Sequence, residues 1–196
     1  MHPVLNKNLF FVKEHVGLFK ASNSFDIFDG ETQQLIMQCR EENLGFFTKL
    51  FRFTDSKRMT PFDIQIKSPS GELILSVKRG VSFFLSNVEV LDRNGMIIGR
   101  FKQQFFSIGG KFEVLDGNGQ ALCMLRGKWT SWEFNFVSAD NRNFATVSKK
   151  WSGFGKEFFT SADNYVLQIS NDVPADHPLR MLILAAVMCI DLVLKE

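Results

Sequence analysis

Cysteine is scarce in this sequence and follows no pattern. The 196 residues include three cysteines, at positions 39, 123 and 189, which are far apart and lack the spacing of a metal site. This pattern favours packed thiols in a reducing compartment over a disulfide framework. Because the first residues contain no apolar run long enough for a signal peptide, we predict a cytoplasmic protein.

The sequence also lacks catalytic motifs and a strong charge of one sign. A formal net charge of +2 is too small to predict a nucleic-acid partner. The histidines, His2, His15 and His177, have no patterned partners, and no hydrolase, metalloprotease or phosphate-loop motif occurs. Residues 117–119 (Gly-Asn-Gly) precede a strand pattern rather than a helix, so they predict a hairpin turn. We therefore predict that the protein is not an enzyme.

Tyrosine is nearly absent, whereas phenylalanine is abundant, with one tyrosine against 22 phenylalanines. Phenylalanine is typical of strands and cores, and beside lysine or arginine it is also typical of membrane interfaces. With 45% hydrophobic and 22% charged residues, the composition is that of a globular protein. The length predicts a single domain over 1–196, in which 1–19 form a partly ordered N-terminal segment.

A hairpin pattern is repeated along the chain. Residues 88–95 (VEVLDRNG) match residues 112–119 (FEVLDGNG) at an offset of 24, and each copy has a β-rich run followed by an Asn-Gly turn. Looser copies occupy 25–40, 62–79 and 132–150, and the last has Ser-Ala-Asp-Asn at its turn. Five such hairpins predict an antiparallel all-β meander.

Basic residues end the hairpin copies. Equivalent positions of successive hairpins in a closed meander share one end, so the pattern predicts a basic rim that binds lipid headgroups. An anionic membrane attracts each basic residue near its surface by about 1 kcal/mol. The alternative is that these residues are ordinary solvated strand ends. The rim residues are Arg40, Lys78, Arg79, Arg100, Arg126, Lys149 and Lys150.

The C-terminal segment predicts a buried helix. We expect it to begin with Asp176 as N-cap and Pro178 in its first turn, and to run to about Leu194. From 181 to 194 only Asp191 is polar, and a helix that is apolar all round either spans a membrane or is buried on every side. Fourteen residues reach roughly 21 Å, short of the ~30 Å hydrocarbon core. A meander closed into a β-barrel would surround such a helix, and Asp191 would then need a buried donor or a place at the barrel mouth.

The C-terminal half of the sequence closely resembles the phospholipid scramblase family, and the upstream hairpins fit the family more loosely. The resemblance covers most of residues 20–196. The matching features are Ser148-Lys149, Trp151-Ser152-Gly153, Glu157, Phe159-Thr160, Ala162-Asp163-Asn164 and Ile190-Asp191.

The resemblance implies a fold related to the tubby C-terminal domain and shared with LURP-one-related proteins. That fold is a closed antiparallel barrel of twelve strands around a central hydrophobic helix, and it agrees with the barrel inferred from the residues. The resemblance also implies membrane-associated functions, which are calcium-dependent lipid scrambling in scramblases and phosphoinositide binding in tubby. In scramblases the calcium segment begins with an aspartate, where this chain has Ser161.

Three residues of this region are candidate calcium ligands, namely Asp163, Asn164 and Asp172. Counted as an EF-hand loop from Ser161, the segment has Val166 where the bend needs glycine, and apolar or aromatic side chains occupy further ligand positions. The alternation of residues 165–170 instead predicts a strand that separates the two aspartates by about 30 Å. The pattern therefore favours a turn at both Ser-Ala-Asp-Asn sites, with weak calcium binding at the second.

Two functions follow as expectations. The first is peripheral binding of anionic phospholipids or phosphoinositides at the inner face of the plasma membrane, with phospholipid scrambling as a further activity. The second is a soluble tubby-like module that binds a protein partner and has no lipid activity. An integral protein that uses the C-terminal helix as its span is the third and weakest hypothesis.

Overall fold

Twelve strands and one C-terminal helix make up the described part of the chain. The computed structural model describes residues 2–15, 23–41, 60–81, 85–104, 110–128, 131–149 and 164–194. A short 3-10 helix (Pro3–Asn6) precedes the first strand. The strands are β1 (Leu9–Glu14), β2 (Ser24–Asp29), β3 (Leu35–Arg40), β4 (Phe62–Lys67), β5 (Leu73–Arg79), β6 (Asn87–Asp92), β7 (Ile97–Gln103), β8 (Lys111–Asp116), β9 (Ala121–Lys128), β10 (Glu133–Val137), β11 (Asn143–Ser148) and β12 (Asn164–Ile169), and the helix is α1 (Leu179–Leu194).

The strands form one closed antiparallel barrel. Each strand pairs with its neighbours in sequence, and β1 pairs with β12 to complete the ring. The prediction of a closed, mainly β barrel of twelve strands with a single C-terminal helix is confirmed. Closure leaves none of these strands as an exposed edge.

The two ends of the barrel differ because every connection reverses the chain. The short turns after β2, β4, β6, β8 and β10 lie at one end, together with the 3-10 helix and the start of α1. We call this the turn end. The odd-numbered strands end at the opposite end, where α1 also ends. We call this the loop end.

The repeated hairpins owe their shape to an aspartate that opens the turn. One carboxylate oxygen of Asp92 accepts hydrogen bonds from the backbone N–H groups of Asn94 and Met96, both at 2.9 Å. Asp116 makes the same two bonds 24 residues later. Each turn glycine has a positive φ of 80–85°, which suits glycine. The repeat therefore encodes one hairpin geometry twice.

The first Ser-Ala-Asp-Asn segment is also a turn, as predicted. The N–H of Ser138 donates to the carbonyl of Arg142, and Asn141 has a φ of 63°. The second copy, at 161–164, lies mainly outside the described residues, which include only Asn164.

Helix α1 fills the barrel. Residues 182–190 are all at most 1% exposed, so every face of the helix is buried, as its sequence predicts. The helix packs closely on β7, where a Cβ added to Gly99 would lie 2.7 Å from a methyl carbon of Leu182. No helix within the described residues has the length and hydrophobicity needed to cross a membrane.

The N-cap prediction was wrong by one residue. The ring Nδ1 of His177, not the side chain of Asp176, accepts the hydrogen bond from the backbone N–H of Leu179 at 3.1 Å. Pro178 lies between this cap and Leu179, the first residue of α1, so its missing N–H removes no hydrogen bond within the helix. The predicted end of the helix, Leu194, agrees with the structure.

Candidate functional site

The described basic rim residues all belong to strands that run toward the loop end. Arg40 and Arg79 are the last residues of β3 and β5, and Lys149 directly follows β11. Lys78, Arg100 and Arg126 precede the ends of β5, β7 and β9 by one to three residues. Lys150 lies outside the described residues. The topology thus brings the rim to one end, as expected from the hairpin pattern.

Two of these rim residues, Lys78 and Arg100, form ion pairs with carboxylates on the outer surface. Lys78 lies 2.9 Å from Asp63, and Arg100 lies 3.2 Å from Glu89. Lys78 also faces Glu89 across β5 and β6, so the charges alternate in sign along four strands. This belt is electrically balanced, which agrees with the interpretation of these residues as solvated strand positions.

Arg40 forms part of a small half-buried charge cluster with Asp26 of β2 and His15, which follows β1. Its guanidinium lies 2.5 Å from Asp26, whose other oxygen lies 2.7 Å from His15. Although burial of Asp26 raises its pKa, the hydrogen bonds from Arg40 and His15 outweigh this and hold the pKa below its ordinary value. Arg40 also donates to the carbonyls of Phe25 and Cys39, so it has a structural role in this arrangement.

Arg79 points into the barrel and is only 4% exposed. It donates to the carbonyl of Thr60 at 2.6 Å and to the hydroxyl of Ser86 at 3.3 Å, and it stacks on the ring of Phe62. Strand alternation explains why its neighbour Lys78 is on the surface while Arg79 is not. In this structure Arg79 closes the loop end of the barrel instead of facing solvent.

Arg126 has the most unusual surroundings of the rim. It is exposed, and it directly faces Lys111 across β8 and β9. Like charges placed directly opposite each other destabilise a sheet. The exposed Lys128 lies two residues further along the same face of β9 and faces Glu133 of β10. The exposed Lys102 lies near the end of the adjacent β7 and faces Glu113 of β8. We call Lys102, Lys111, Arg126 and Lys128 the basic patch.

The repeated hairpin shows that the fold does not require the like charges in this patch. In the first copy Asn87 faces Lys102, and in the second copy, offset by 24 residues, Lys111 faces Arg126. The strand geometry is the same, yet the second copy replaces a neutral partner with a cation. Three patch residues were missed in the sequence because only terminal basic residues of the copies were considered; counting the register back from the Asn-Gly turn would have found Lys111.

Lys149 lies against aromatic rings at the loop end. Its ammonium is 4.0 Å from the ring centre of Trp132 and 5.1 Å from that of Tyr165, which are cation–π distances. The hydroxyl of Tyr165 donates to the buried carboxylate of Asp191, near the end of α1. Asp191 therefore has the buried donor that its sequence position required, and the cluster joins the helix end to the barrel wall.

The candidate calcium ligands are not brought together. Asn164 begins β12 and is buried, whereas Asp172 is exposed in the turn after β12. The intervening strand alone, at about 3.3 Å per residue over its five steps, separates them by roughly 16 Å. Asp163 lies outside the described residues. Among the residues that the structure describes, no group of three histidine, cysteine or acidic side chains has an arrangement suited to a metal.

All three thiols are buried and unpaired with one another, as the scarcity of cysteine predicted. Burial raises the pKa of Cys123 to about 12, and it raises the pKa values of Cys39 and Cys189 still further above their ordinary range. Thiols in this state are poor nucleophiles and poor metal ligands at neutral pH.

The whole barrel corresponds to a known family. The scramblase family model matches residues 10–196, which include every strand and the helix. The chain belongs to the scramblase family. This confirms the resemblance inferred from the C-terminal motifs.

Curated relatives of this scramblase-family chain are distant. Phospholipid scramblase 2 of Homo sapiens is 22% identical, with 91% of this chain and 62% of that protein covered. A phospholipid scramblase family protein of Schizosaccharomyces pombe is 21% identical, with 89% and 49% covered. Altered inheritance rate of mitochondria protein 25 of Saccharomyces cerevisiae is 20% identical, with 91% and 62% covered.

This scramblase-family chain spans about half to three fifths of the length of these relatives. No solved structure matches it. The likeness to tubby and LURP-one-related domains therefore stays a prediction.

Proposed function

We propose that this scramblase-family protein binds the surface of anionic phospholipid membranes peripherally, through the basic patch at the loop end of the barrel. The observation that carries the proposal is the apposition of Lys111 and Arg126, which destabilises the sheet and has a neutral counterpart in the other hairpin copy. A negatively charged surface relieves this repulsion. Relatives of this chain are named phospholipid scramblases, which supports a phospholipid as the ligand.

The size of the effect follows from the charges. Each basic residue near an anionic surface contributes about 1 kcal/mol. Neutralising Lys111 and Arg126 together therefore removes about 2 kcal/mol, which corresponds to a roughly 30-fold weaker partition onto vesicles. The attraction falls as salt rises, because the interaction is screened over about 10 Å at 0.1 M.

Co-sedimentation with vesicles of phosphatidylserine and phosphatidylcholine at low salt tests the proposal. The patch variant is Lys111→Gln with Arg126→Gln, and the matched control is Arg93→Gln with Arg142→Gln at the turn end. The control removes the same charge from side chains that are 67% and 69% exposed. We expect the patch variant to lose about 30-fold in partition and the control to stay near the parent. An equal loss in both would show that net charge, not the patch, governs binding.

The patch variant also distinguishes loss of function from damage to the fold. Removal of like charges that face each other should stabilise the sheet by roughly 0.2–1 kcal/mol. Binding and stability should therefore change in opposite directions. Failure of the parent protein to sediment at low salt would overturn the lipid proposal and favour the alternative, a barrel that binds a protein partner.

We propose phospholipid scrambling as a further activity of the membrane-bound protein, and the names of its relatives support it. Reconstitution into vesicles with a fluorescent lipid, followed by bleaching of the outer leaflet, measures the lipid that becomes exposed. We also propose that the protein lies at the inner face of the plasma membrane, because anionic lipids are concentrated there. Bleaching of only the outer-leaflet half would exclude scrambling without excluding binding.

Calcium dependence stays a prediction of weak binding at the second Ser-Ala-Asp-Asn segment. Because Asn164 and Asp172 are separated, we expect any calcium effect on membrane binding to depend on Asp163 and not on Asp172. Sedimentation at millimolar calcium with Asp163→Ala and, as a control, Asp172→Ala tests this. A calcium effect removed by the Asp172 change alone would contradict it.

A further inference from the structure

Two large apolar side chains are exposed among the described residues, and they lie at opposite ends of the barrel. Val81 is 62% exposed and follows β5 at the loop end, whereas Met96 is 65% exposed in the turn after β6. A single exposed apolar side chain needs no functional explanation. Their surroundings, however, differ in charge, and this difference bears on how the protein approaches a membrane.

Val81 lies beside a partly exposed lysine and a glutamate. It borders a shallow cleft of about 260 Å³ that Lys78, Leu85 and Glu89 also line. The side chain of Lys78 is 45% exposed, so part of its charge is accessible next to the apolar side chain. An apolar side chain next to exposed lysine is the composition that favours the interface of an anionic bilayer.

Met96 lies at the acidic end. The repeated turns at this end are opened by carboxylates, for the local reason that aspartate accepts hydrogen bonds from the turn backbone. The exposed arginines of this end, Arg93 and Arg142, each lie within 3.5 Å of one of these acidic side chains. Lys7 pairs with Asp29 at the same end. The acidic residues described at the turn end are Asp29, Glu31, Glu72, Asp92, Asp116, Asp140, Asp172 and Asp176. An anionic surface repels such an end.

We propose that the protein docks on an anionic phospholipid bilayer with the loop end facing the membrane, so that Val81 enters the interfacial layer and Met96 faces away. This orientation rests on the proposed membrane binding, and it specifies which end of the barrel contacts the bilayer. The basic patch and Val81 then lie at the same membrane-facing end, while the ring of carboxylates is directed toward the solvent.

The native thiols allow a direct test. Because Cys39, Cys123 and Cys189 are buried, a cysteine introduced at an exposed position is labelled selectively. We would prepare Val81→Cys and, as the matched control of nearly equal exposure, Met96→Cys, each labelled with the environment-sensitive fluorophore NBD. Circular dichroism of the labelled proteins checks that both are folded.

The labelled proteins are mixed with vesicles of phosphatidylserine and phosphatidylcholine, and sedimentation is measured in the same samples. We expect both proteins to sediment, with a blue shift and an intensity gain at position 81 only, and quenching by spin-labelled lipid at position 81 only. If both sediment but position 96 shifts, or position 81 does not, the orientation is wrong while membrane binding stands. If neither sediments, membrane binding fails and the orientation fails with it.

Discussion

Replacement of Arg180 with methionine should destabilise the turn end of the barrel. Arg180 is 1% exposed in the first turn of α1, where the helix dipole disfavours a positive charge. Burial lowers its pKa from the ordinary value, which shows that the site is unfavourable for the cation. Hydrogen bonds offset this cost, because the guanidinium donates to three backbone carbonyls and one side-chain amide, those of Leu5, Lys7, Val173 and Asn8.

The magnitude can be worked from these contacts. The distances are 2.5–2.7 Å, and bonds from a charged donor contribute about 1.5–3 kcal/mol each. Methionine has a similar length and no donor, so it leaves three carbonyls without their partner at about 1–3 kcal/mol each. Relief of the buried charge and entry of water reduce the sum. We expect a net loss of about 3–5 kcal/mol, a large share of a typical total of 5–15 kcal/mol.

Urea unfolding and hydrogen exchange would measure this loss. The exchange of amides in the first segment should rise most, because Leu5 and Lys7 supply two of the four acceptors. Arg180→Lys keeps the charge but not the forked geometry, so an intermediate loss is expected. Arg142→Met, at an exposed site, should change stability by less than about 0.5 kcal/mol. A loss below about 1 kcal/mol for Arg180→Met would refute the reasoning.

Three further predictions concern the core and its charges. Tyr165→Phe should cost about 1.5–3 kcal/mol of unfolding free energy because the Asp191 carboxylate loses a donor, and a double variant with Asp191→Asn should lose less than the sum of the single variants in urea. The pKa of Asp26 is lowered from 3.8 when folded, so its contribution to stability is present above pH 3.8 and is lost as the pH falls below it. Asp26→Asn should therefore flatten the fall of Tm below about pH 4, and an unchanged acid slope would contradict this. Gly99→Ala should destabilise by about 1–3 kcal/mol because its Cβ would lie 2.5 Å from the carbonyl oxygen of Leu115 and 2.7 Å from Leu182 of the helix, whereas Gly80→Ala, with nothing within 4 Å, should be near neutral.

The fold could be predicted because its signals are local. An Asn-Gly turn after an aspartate specifies a hairpin through backbone hydrogen bonds made within five residues, and the same pattern occurs at Asp92 and Asp116. The closure of the barrel followed from α1, since a helix with no polar stripe and insufficient length to span a membrane must be surrounded. The strand number came from the family resemblance and not from the pattern.

The long-range contacts could not be predicted from local pattern. The guanidinium of Arg180 donates to the carbonyl of Leu5, which is 175 residues away in the sequence. No local pattern near Leu5 predicts that its carbonyl accepts this hydrogen bond. Lys149 was expected at a lipid-facing rim, but its contacts with Trp132 and Tyr165 join three separate strands or connections. Such contacts depend on how the closed barrel brings distant segments together, which no single hairpin encodes.

The rim illustrates why residue type alone is a weak guide to function. Lys78 and Arg79 are adjacent and both basic, yet one forms a surface ion pair with Asp63 and the other closes the barrel interior. The repeated hairpin provides the missing comparison, because two copies of one geometry differ in a few partners. Where the first copy places Asn87 opposite a lysine, the second places Lys111 opposite an arginine. Because both copies keep the same register, the strand geometry itself does not require a cation at both positions.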